Sequence, residues 1–125
     1  MTTSEIATVL AWHDALNASD LDTLVELSSD DIDVGDEHGA IQGHEALRRW
    51  ATTSGFTAEP GRMYVHDGVV VTEQQVRAAA DPGTVSAMAS AFRVVHDKVT
   101  SVFRHKDLAS ALAATELTEE DLTAG

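Results

Sequence analysis

RMYVHDGVVVTEQQVRAAADPGTVSAMASAFRVVHDKVTSVFRH, residues 62–105, is the stretch that decides the fold. Its apolar side chains recur at every second position, the mark of half-buried strands rather than of a helix face. Met63 to His66 reads as a strand, Asp67-Gly68 as a hairpin turn and Val69 to Ala79 as a long strand. Asp81-Pro82-Gly83 suits a turn with proline second and glycine third, so the chain doubles back into Val85 to Val95. His96-Asp97-Lys98 then turns it into a last strand from Val99 to His105. A loop between Ala80 and Thr84 pairs Gln74 with Ser90, Val76 with Met88 and Val70 with Val94, setting apolar residues opposite each other on an inner face. A slip of one residue would instead turn Glu73, Gln75 and Arg77 inward and bury unpaired charge. On the last strand Val102 and Arg104 face one way, Phe103 and His105 the other.

Upstream the period is helical. Thr2 and Glu5 have capping-box spacing, and Ile6, Val9, Leu10, His13 and Leu16 follow at helical intervals, with His13 near the centre of the apolar arc and Trp12 at its edge. The helix ends near Asn17 to Ser19, and Asp20 can cap a shorter one carrying Leu21, Leu24, Val25 and Leu27. Asp31 to Gly39 is too acidic and glycine-bearing for a helix; Ile32 and Val34 alternate with Asp31 and Asp33, which gives a short strand and then a turn. Gly43 opens a third helix with Leu47 and Trp50 on its apolar side and Arg48 and Arg49 on its wetter side, and Gly55 stops it. Downstream, Asp107 to Leu112 is helical and the TELTEEDLTAG end is expected to fray. Helices followed by an antiparallel meander define an α+β fold with helices on one face of the sheet. Residues 1–125 contain no repeat, low-complexity tract or linker and read as one domain.

Composition narrows the function. Eight Lys and Arg against 21 Asp and Glu give a net charge of −13, so no basic stripe exists for a nucleic-acid backbone or an anionic membrane. The acidic start and the lack of an 18-residue apolar run make a cytoplasmic location the default expectation. With no cysteine there is no disulfide, thiolate metal site or cysteine nucleophile. The six histidines form no HxH or HExxH pair, and Gly-x-Ser-x-Gly, P-loop and dinucleotide fingerprints are missing, so neither a metal nor a cofactor is expected. Dense carboxylates suit a high-salt cytoplasm, the alternative being an ordinary acidic protein.

The run AWHDALNASDLDTLVELSSDDIDVGD, followed by IQGHEALRRW, resembles the opening of the nuclear transport factor 2-like superfamily, in its SnoaL-like and ketosteroid-isomerase branch. Three pieces carry the resemblance: Ala15-Leu16-Asn17 with Asp20, the pair Asp30-Asp31 before a strand, and Gly43 at the third helix. It implies a cone-shaped fold with N-terminal helices packed on a curved antiparallel sheet, a pocket between them, and commonly a dimer through the sheet's outer face. Ala87, Ala89, Ala91 and Phe103 would line that face in a homodimer. Fold alone names no reaction, since one scaffold hosts several chemistries.

Carried over residue by residue, the isomerase branch's carboxylate base falls on Asp36, its phenol on Trp12 and its protonated acid on Ser90, so the oxyanion hole that stabilises a dienolate is absent. The epoxide-hydrolase branch's Asp–Arg–Asp constellation falls on Gln74 and Val76 at its two middle-strand positions and on Arg104 at its last-strand carboxylate, so both acids are lost. The resemblance turns Arg104 inward. The candidate pocket set is therefore Trp12, His13, Asp36, Gln74, Ser90 and Arg104, walled by Trp50, Met88 and Val102. Each has a structural alternative. His13 can be a core histidine with a local partner, Asp36 a solvated turn acid, and Arg104 half of a structural ion pair; Gln74 and Ser90 can satisfy each other across strands, and both tryptophans can be plain core. Two functions stay open. One is cofactor-free proton transfer on a carbonyl-bearing metabolite, as an isomerase, cyclase or hydrolase, with Asp36 or His13 as base and Arg104 and Ser90 holding the oxyanion. The other is a non-catalytic ligand-binding or dimerisation module taking a small apolar or weakly acidic metabolite.

The charge itself makes a prediction. Self-repulsion of a −13 chain weakens the compact state at low ionic strength. Shortening the Debye length from about 30 to about 3 Å between ~0.01 and ~1 M salt relieves it. The melting temperature measured by calorimetry is expected to climb across that range of sodium chloride; a flat or falling curve refutes the argument.

Overall fold

The computed structural model describes residues 2–36, 38–54, 56–78 and 81–124. Helices α1 (Thr2–Asn17) and α2 (Leu21–Glu26) lead into strands β1 (Ser28–Asp36) and β2 (Gly39–Gln42), and α3 (His44–Ser54) follows. Four long strands come next: β3 (Phe56–His66), β4 (Val69–Ala78), β5 (Asp81–Val95) and β6 (Lys98–His105). The chain closes with α4 (Leu108–Thr115), a 3-10 turn (Glu119–Asp121) and β7 (Leu122–Ala124). The expected α+β architecture with helices packed on a curved sheet is what forms. The Thr2 side chain, Gly55 and the pair Ala79 and Ala80, invoked above for helix ends and a strand turn, lie outside the described residues.

The sheet has seven strands in the order β2-β1-β6-β5-β4-β3-β7. It is mixed rather than purely antiparallel, because β1 runs parallel to β6. That pairing is invisible to the meander pattern, since it joins strands separated by about half of the chain. The segment read as a short strand and a turn is longer than expected, a hairpin of β1 and β2 in which Gly35 pairs with Ala40. A Cβ on Gly35 would sit 2.9 Å from both the Ala40 Cβ and the Gly39 carbonyl oxygen, so this close approach requires glycine.

The long hairpin keeps its expected faces but not its expected partners. Val70 pairs with Phe92, Thr72 with Ser90, Gln74 with Met88 and Val76 with Ser86, two residues from the pairing deduced above. Asp81, Pro82 and Gly83 open β5 instead of forming the turn, with the Thr84 hydroxyl donating to the Asp81 carboxylate at 2.8 Å. A shorter connection slides one strand along the other, and an even slip leaves every side chain on its original face. The other two hairpin turns match expectation: Asp67 and Gly68 (φ 48° and 80°) and His96 and Asp97 (φ 52° and 62°) adopt the positive φ that tight two-residue turns need.

The main core lies between α1, α2, α3 and the concave face, where Val9, Trp12, Leu24, Ile32, Leu47, Val70, Phe92 and Val102 are buried. On α1 the buried arc centres on Trp12 and His13, and Leu10 is 41% exposed, so Trp12 is not at the edge. Ala7, Ala11 and Ala15 leave this helix no sharply polar side, and the face that wins is the one burying the largest ring. Asp20 caps α2 as expected, accepting from Thr23 N–H at 3.3 Å. Gly43, at φ 94°, takes the position before α3: its N–H donates to the Ile32 carbonyl at 2.9 Å and its carbonyl accepts from Leu47 N–H at 2.9 Å.

A second, smaller core covers part of the opposite face. Tyr64, Val71 and Ala89 are buried there beneath Ala111 and Leu117. Ala89 and, in part, Ala91 are thus covered by the chain's own C-terminal helix, which corrects the expectation that both lie open for a partner copy. The tail is docked rather than frayed: Leu122 pairs with Tyr64 on β3, and the Tyr64 hydroxyl donates to Glu119 at 3.2 Å. The outer edge of β3 thereby finds backbone partners in its own chain.

Asn17, one of the residues behind the family resemblance, locks the end of α1 to the sheet. Its amide nitrogen donates to the Ala58 carbonyl at 2.8 Å and its amide oxygen accepts from Ala58 N–H at 2.9 Å, satisfying both backbone groups of a buried β3 residue. Asn17→Ala leaves both without a partner and is expected to lower stability by about 1–3 kcal/mol in urea titrations; a change under ~0.5 kcal/mol would show that water replaces the amide.

Candidate functional site

The sequence-derived pocket set separates into a closed polar chain and an open cleft. The closed part starts on α1, where His13 is fully buried and its Nδ1 lies 2.8 Å from the Val9 carbonyl oxygen. A carbonyl only accepts, so Nδ1 carries the proton and Nε2 presents a lone pair. The Gln74 amide nitrogen donates to that lone pair at 2.8 Å, and the Ser90 hydroxyl donates to the Gln74 amide oxygen at 2.8 Å. Every donor points the same way, so the chain is satisfied with a neutral imidazole at its head. Burial holds the His13 pKa below its usual value, opposed by the Val9 hydrogen bond and the charge of Asp14. His13, Gln74 and Ser90 thus occupy the core between α1 and the hairpin, as their structural alternatives would have them.

Trp12 and Val102 also belong to the core. The Trp12 indole N–H donates to Ser28 Oγ at 3.0 Å, and that hydroxyl donates to the Leu24 carbonyl at 2.8 Å. The Trp12 ring meets Phe92 edge-on at 5.4 Å and lies 6.3 Å from the Trp50 ring. Val102 is 3% exposed among the same residues.

Asp36, Arg104, Met88 and Trp50 face open space. The parallel register sets Val34 beside Val102 and Gly35 beside Phe103, so the next step brings Asp36 alongside Arg104 on the concave face, beyond the apolar core. Across β6, Arg104 pairs with Ser90, and Ser90 pairs with Thr72. Four adjacent strands therefore carry a polar row, Asp36, Arg104, Ser90 and Thr72, directly above the apolar row Val34, Val102, Phe92 and Val70. Thr72 is fully buried, and its hydroxyl has no hydrogen-bond partner among the described residues. No motif or charge singles it out in the sequence, although it shares the Gln74 face of β4.

Arg104 is half-buried, and its Nη2 lies 3.5 Å from Met88 Sδ. Desolvation pulls its pKa down from the usual arginine value, partly offset by the negative charge of Asp36. One Asp36 carboxylate oxygen accepts the His38 backbone N–H at 2.8 Å, which fixes the carboxylate at the tip of the β1–β2 hairpin. Two clefts open on either side of this pair. One, of about 330 Å³, is walled by Val34, Ile41 and Trp50. The other, of about 250 Å³, lies toward the start of α4 and is bordered by Met88, His38, His105 and Lys106. Asp36 and Arg104 line both. The site thus offers a desolvated guanidinium, a neighbouring carboxylate and apolar walls. Among the described residues no three His, Asp or Glu side chains converge as a metal-binding group, and no helix is long and apolar enough to cross a membrane.

The helix-packed sheet is that of a nuclear transport factor 2-like protein. The chain belongs to the SnoaL-like domain family, whose model matches residues 9–102. Among solved structures it is similar to a nuclear transport factor 2-like protein of unknown function from Cytophaga hutchinsonii, at 15% identity, covering 86% of this chain and 94% of that one with a TM-score of 0.73. It is also similar to an LEH-like epoxide hydrolase from M. tuberculosis (23% identity, 91% and 96% covered, TM-score 0.71). TerC, co-crystallized with polyporic acid, is a third (16% identity, 91% and 97% covered, TM-score 0.71). At these identities the likeness is one of fold. No curated protein matches the sequence.

The buried imidazole sets a pH dependence. Because the folded state holds the His13 pKa below 6.5, the unfolded chain takes up the proton first. The stability contributed by neutral His13 is full above about pH 6.5 and is lost as pH falls toward its folded value. Urea titrations between pH 7.5 and 5 are expected to show stability falling with pH and the slope shrinking in His13→Met. That variant should also lose about 1–3 kcal/mol at pH 7.5, where the Gln74 amide is left without its acceptor. An unchanged slope would show that His13 is protonated without penalty.

Proposed function

We propose that this chain binds a small, largely apolar metabolite carrying a carbonyl oxygen, in the cleft between Trp50 and the Asp36–Arg104 pair. The observation that carries the reading is the position of Arg104, a half-buried guanidinium on the open side of the polar row with an apolar cleft in front of it. A desolvated cation with several N–H donors engages a carbonyl or enolate oxygen more strongly than one in water does. Trp50, Ile41 and Val34 supply the wall against which the apolar body packs. The fold relatives support a small-molecule role: the M. tuberculosis protein is an epoxide hydrolase, and TerC was crystallized with an organic ligand.

The position of Asp36 favours a second, catalytic reading on the same cleft. With the ligand carbonyl on Arg104, the Asp36 carboxylate stands beside the neighbouring carbon and can take a proton from it, while Arg104 holds the developing oxyanion. No cofactor enters this scheme. His13 is not the base here, because its one lone pair is engaged by Gln74 inside the core, and Ser90 is committed to Gln74 and leaves the oxyanion to Arg104. For assembly we propose a homodimer through the part of the outer face that α4 leaves open, where Phe103 is 41% exposed; light scattering at micromolar concentration tests it.

The pair itself is tested by a double-mutant cycle. Arg104→Met is expected to reduce stability by roughly 1–3 kcal/mol and to abolish the fluorescence response of the tryptophans to carbonyl-bearing aromatic probes. Asp36→Asn combined with it is expected to recover part of the stability loss, with a coupling energy above ~0.5 kcal/mol. Additive effects would mean that the two side chains do not share a site.

A further inference from the structure

Met88 stands at the wall of the second cleft and has no part in the reading above. Its Sδ lies 3.5 Å from Arg104 Nη2, which donates an N–H to it. The sequence has no cysteine and three methionines, so thioethers are its only sulfurs. Met63 is 2% exposed in the main core, and Met1 lies outside the described residues. Met88 is half-buried and borders a cleft of about 250 Å³. A water takes up roughly 30 Å³ in the liquid, so an oxidant two heavy atoms in size has room there. A thioether sulfur is a soft, weak acceptor with two lone pairs, and the guanidinium N–H engages one of them.

We propose that Met88 is a modification site, where a hydroperoxide converts the thioether to a sulfoxide whose oxygen takes the Arg104 N–H that the sulfur now holds. The sulfur attacks one peroxide oxygen with its second lone pair and the O–O bond breaks. The other oxygen leaves as hydroxide and takes up the proton of the transferred oxygen, so hydrogen peroxide yields one sulfoxide and one water. Charge develops on the leaving oxygen, and a guanidinium beside the sulfur supplies donors for it. Because Nη2 covers one lone pair, oxygen adds at the other and one sulfoxide epimer forms in excess. The sulfoxide is polar where the thioether was not, and rotation about the Cγ–Sδ bond brings its oxygen to the guanidinium. The effect on function rests on the reading of Arg104 as the group that receives the ligand oxygen. On that reading the sulfoxide competes for the same donors as an internal ligand, until a reductase removes its oxygen.

The test treats the full-length chain with hydrogen peroxide and follows each methionine by peptide mass mapping, with free methionine in the same solution as reference. Met88 is expected to oxidise at least as fast as free methionine, despite its partial burial, and at least tenfold faster than Met63. One epimer is expected in at least fourfold excess, read by digestion with the two stereospecific methionine sulfoxide reductases. Arg104→Leu is expected to slow the oxidation at least threefold and to even out the epimers. Equal epimers in the native chain, or an unchanged rate in Arg104→Leu, make Met88 an ordinary accessible methionine and overturn the proposal. If Arg104→Leu does not fold, the epimer ratio of the native chain decides. The oxidised chain is then titrated with the carbonyl-bearing aromatic probes, read by tryptophan fluorescence. A response weakened at least fivefold, restored by the reductase and insensitive to peroxide in Met88→Leu, supports the competition for Arg104. A response that oxidation leaves unchanged overturns that competition. Selective oxidation with no probe response before or after it keeps the modification site and removes the ligand cleft.

Discussion

The parallel pairing of β1 with β6 is the constraint on which the rest of the molecule depends. It ties the strand that follows the first two helices to the last long strand of the meander, and so closes α1, α2 and α3 over the concave face. Without it Asp36 would be a hairpin acid and Arg104 an edge cation. With it they stand side by side on adjacent strands at the end of the apolar core. Parallel pairing of segments so distant in the chain carries a high loop-closure cost, and the apolar row Val34, Val102, Phe92 and Val70 beneath the polar one offsets it.

The polar groups on the concave face then sort by whether they can satisfy one another. His13, Gln74 and Ser90 line up donor to acceptor between Val9 and the sheet, which a low-dielectric interior strengthens only when every member is paired. Asp36 and Arg104 lie one or two strands further out, where the helices no longer cover the sheet and a cleft opens on each side. Under the proposed function, that half-buried arginine is the group that receives the ligand oxygen. The same physics that closes the inner chain leaves the outer pair beside the clefts.

Covering of the outer face is asymmetric. α4 and the docked tail bury Tyr64, Val71 and Ala89, while Phe103 on β6 remains partly open. The same α4 begins beside Lys106 and contributes Ser110 to the second cleft. One short helix therefore shapes both the open part of the outer face and the mouth of the second cleft.

By itself the sequence determined the four helices and the long strands of the meander, the two tight hairpin turns and the faces of those strands, because these follow from local periodicity and backbone preference. Alternation along β4, β5 and β6 placed Gln74, Ser90, Val102 and Arg104 on one face whichever even register formed. Asp20 and Gly43 announced the starts of α2 and α3 through capping and positive φ. Only the tertiary structure decided the parallel β1–β6 contact, the two-residue shift of the hairpin, the docking of the tail and the centring of α1 on Trp12. The division of the candidate residues between a closed chain and an open cleft was decided there too. Each of these is a choice among arrangements that satisfy the local pattern equally, and the choice is made by which large side chains fill the space between a twisted sheet and its helices, a quantity that no window of sequence contains.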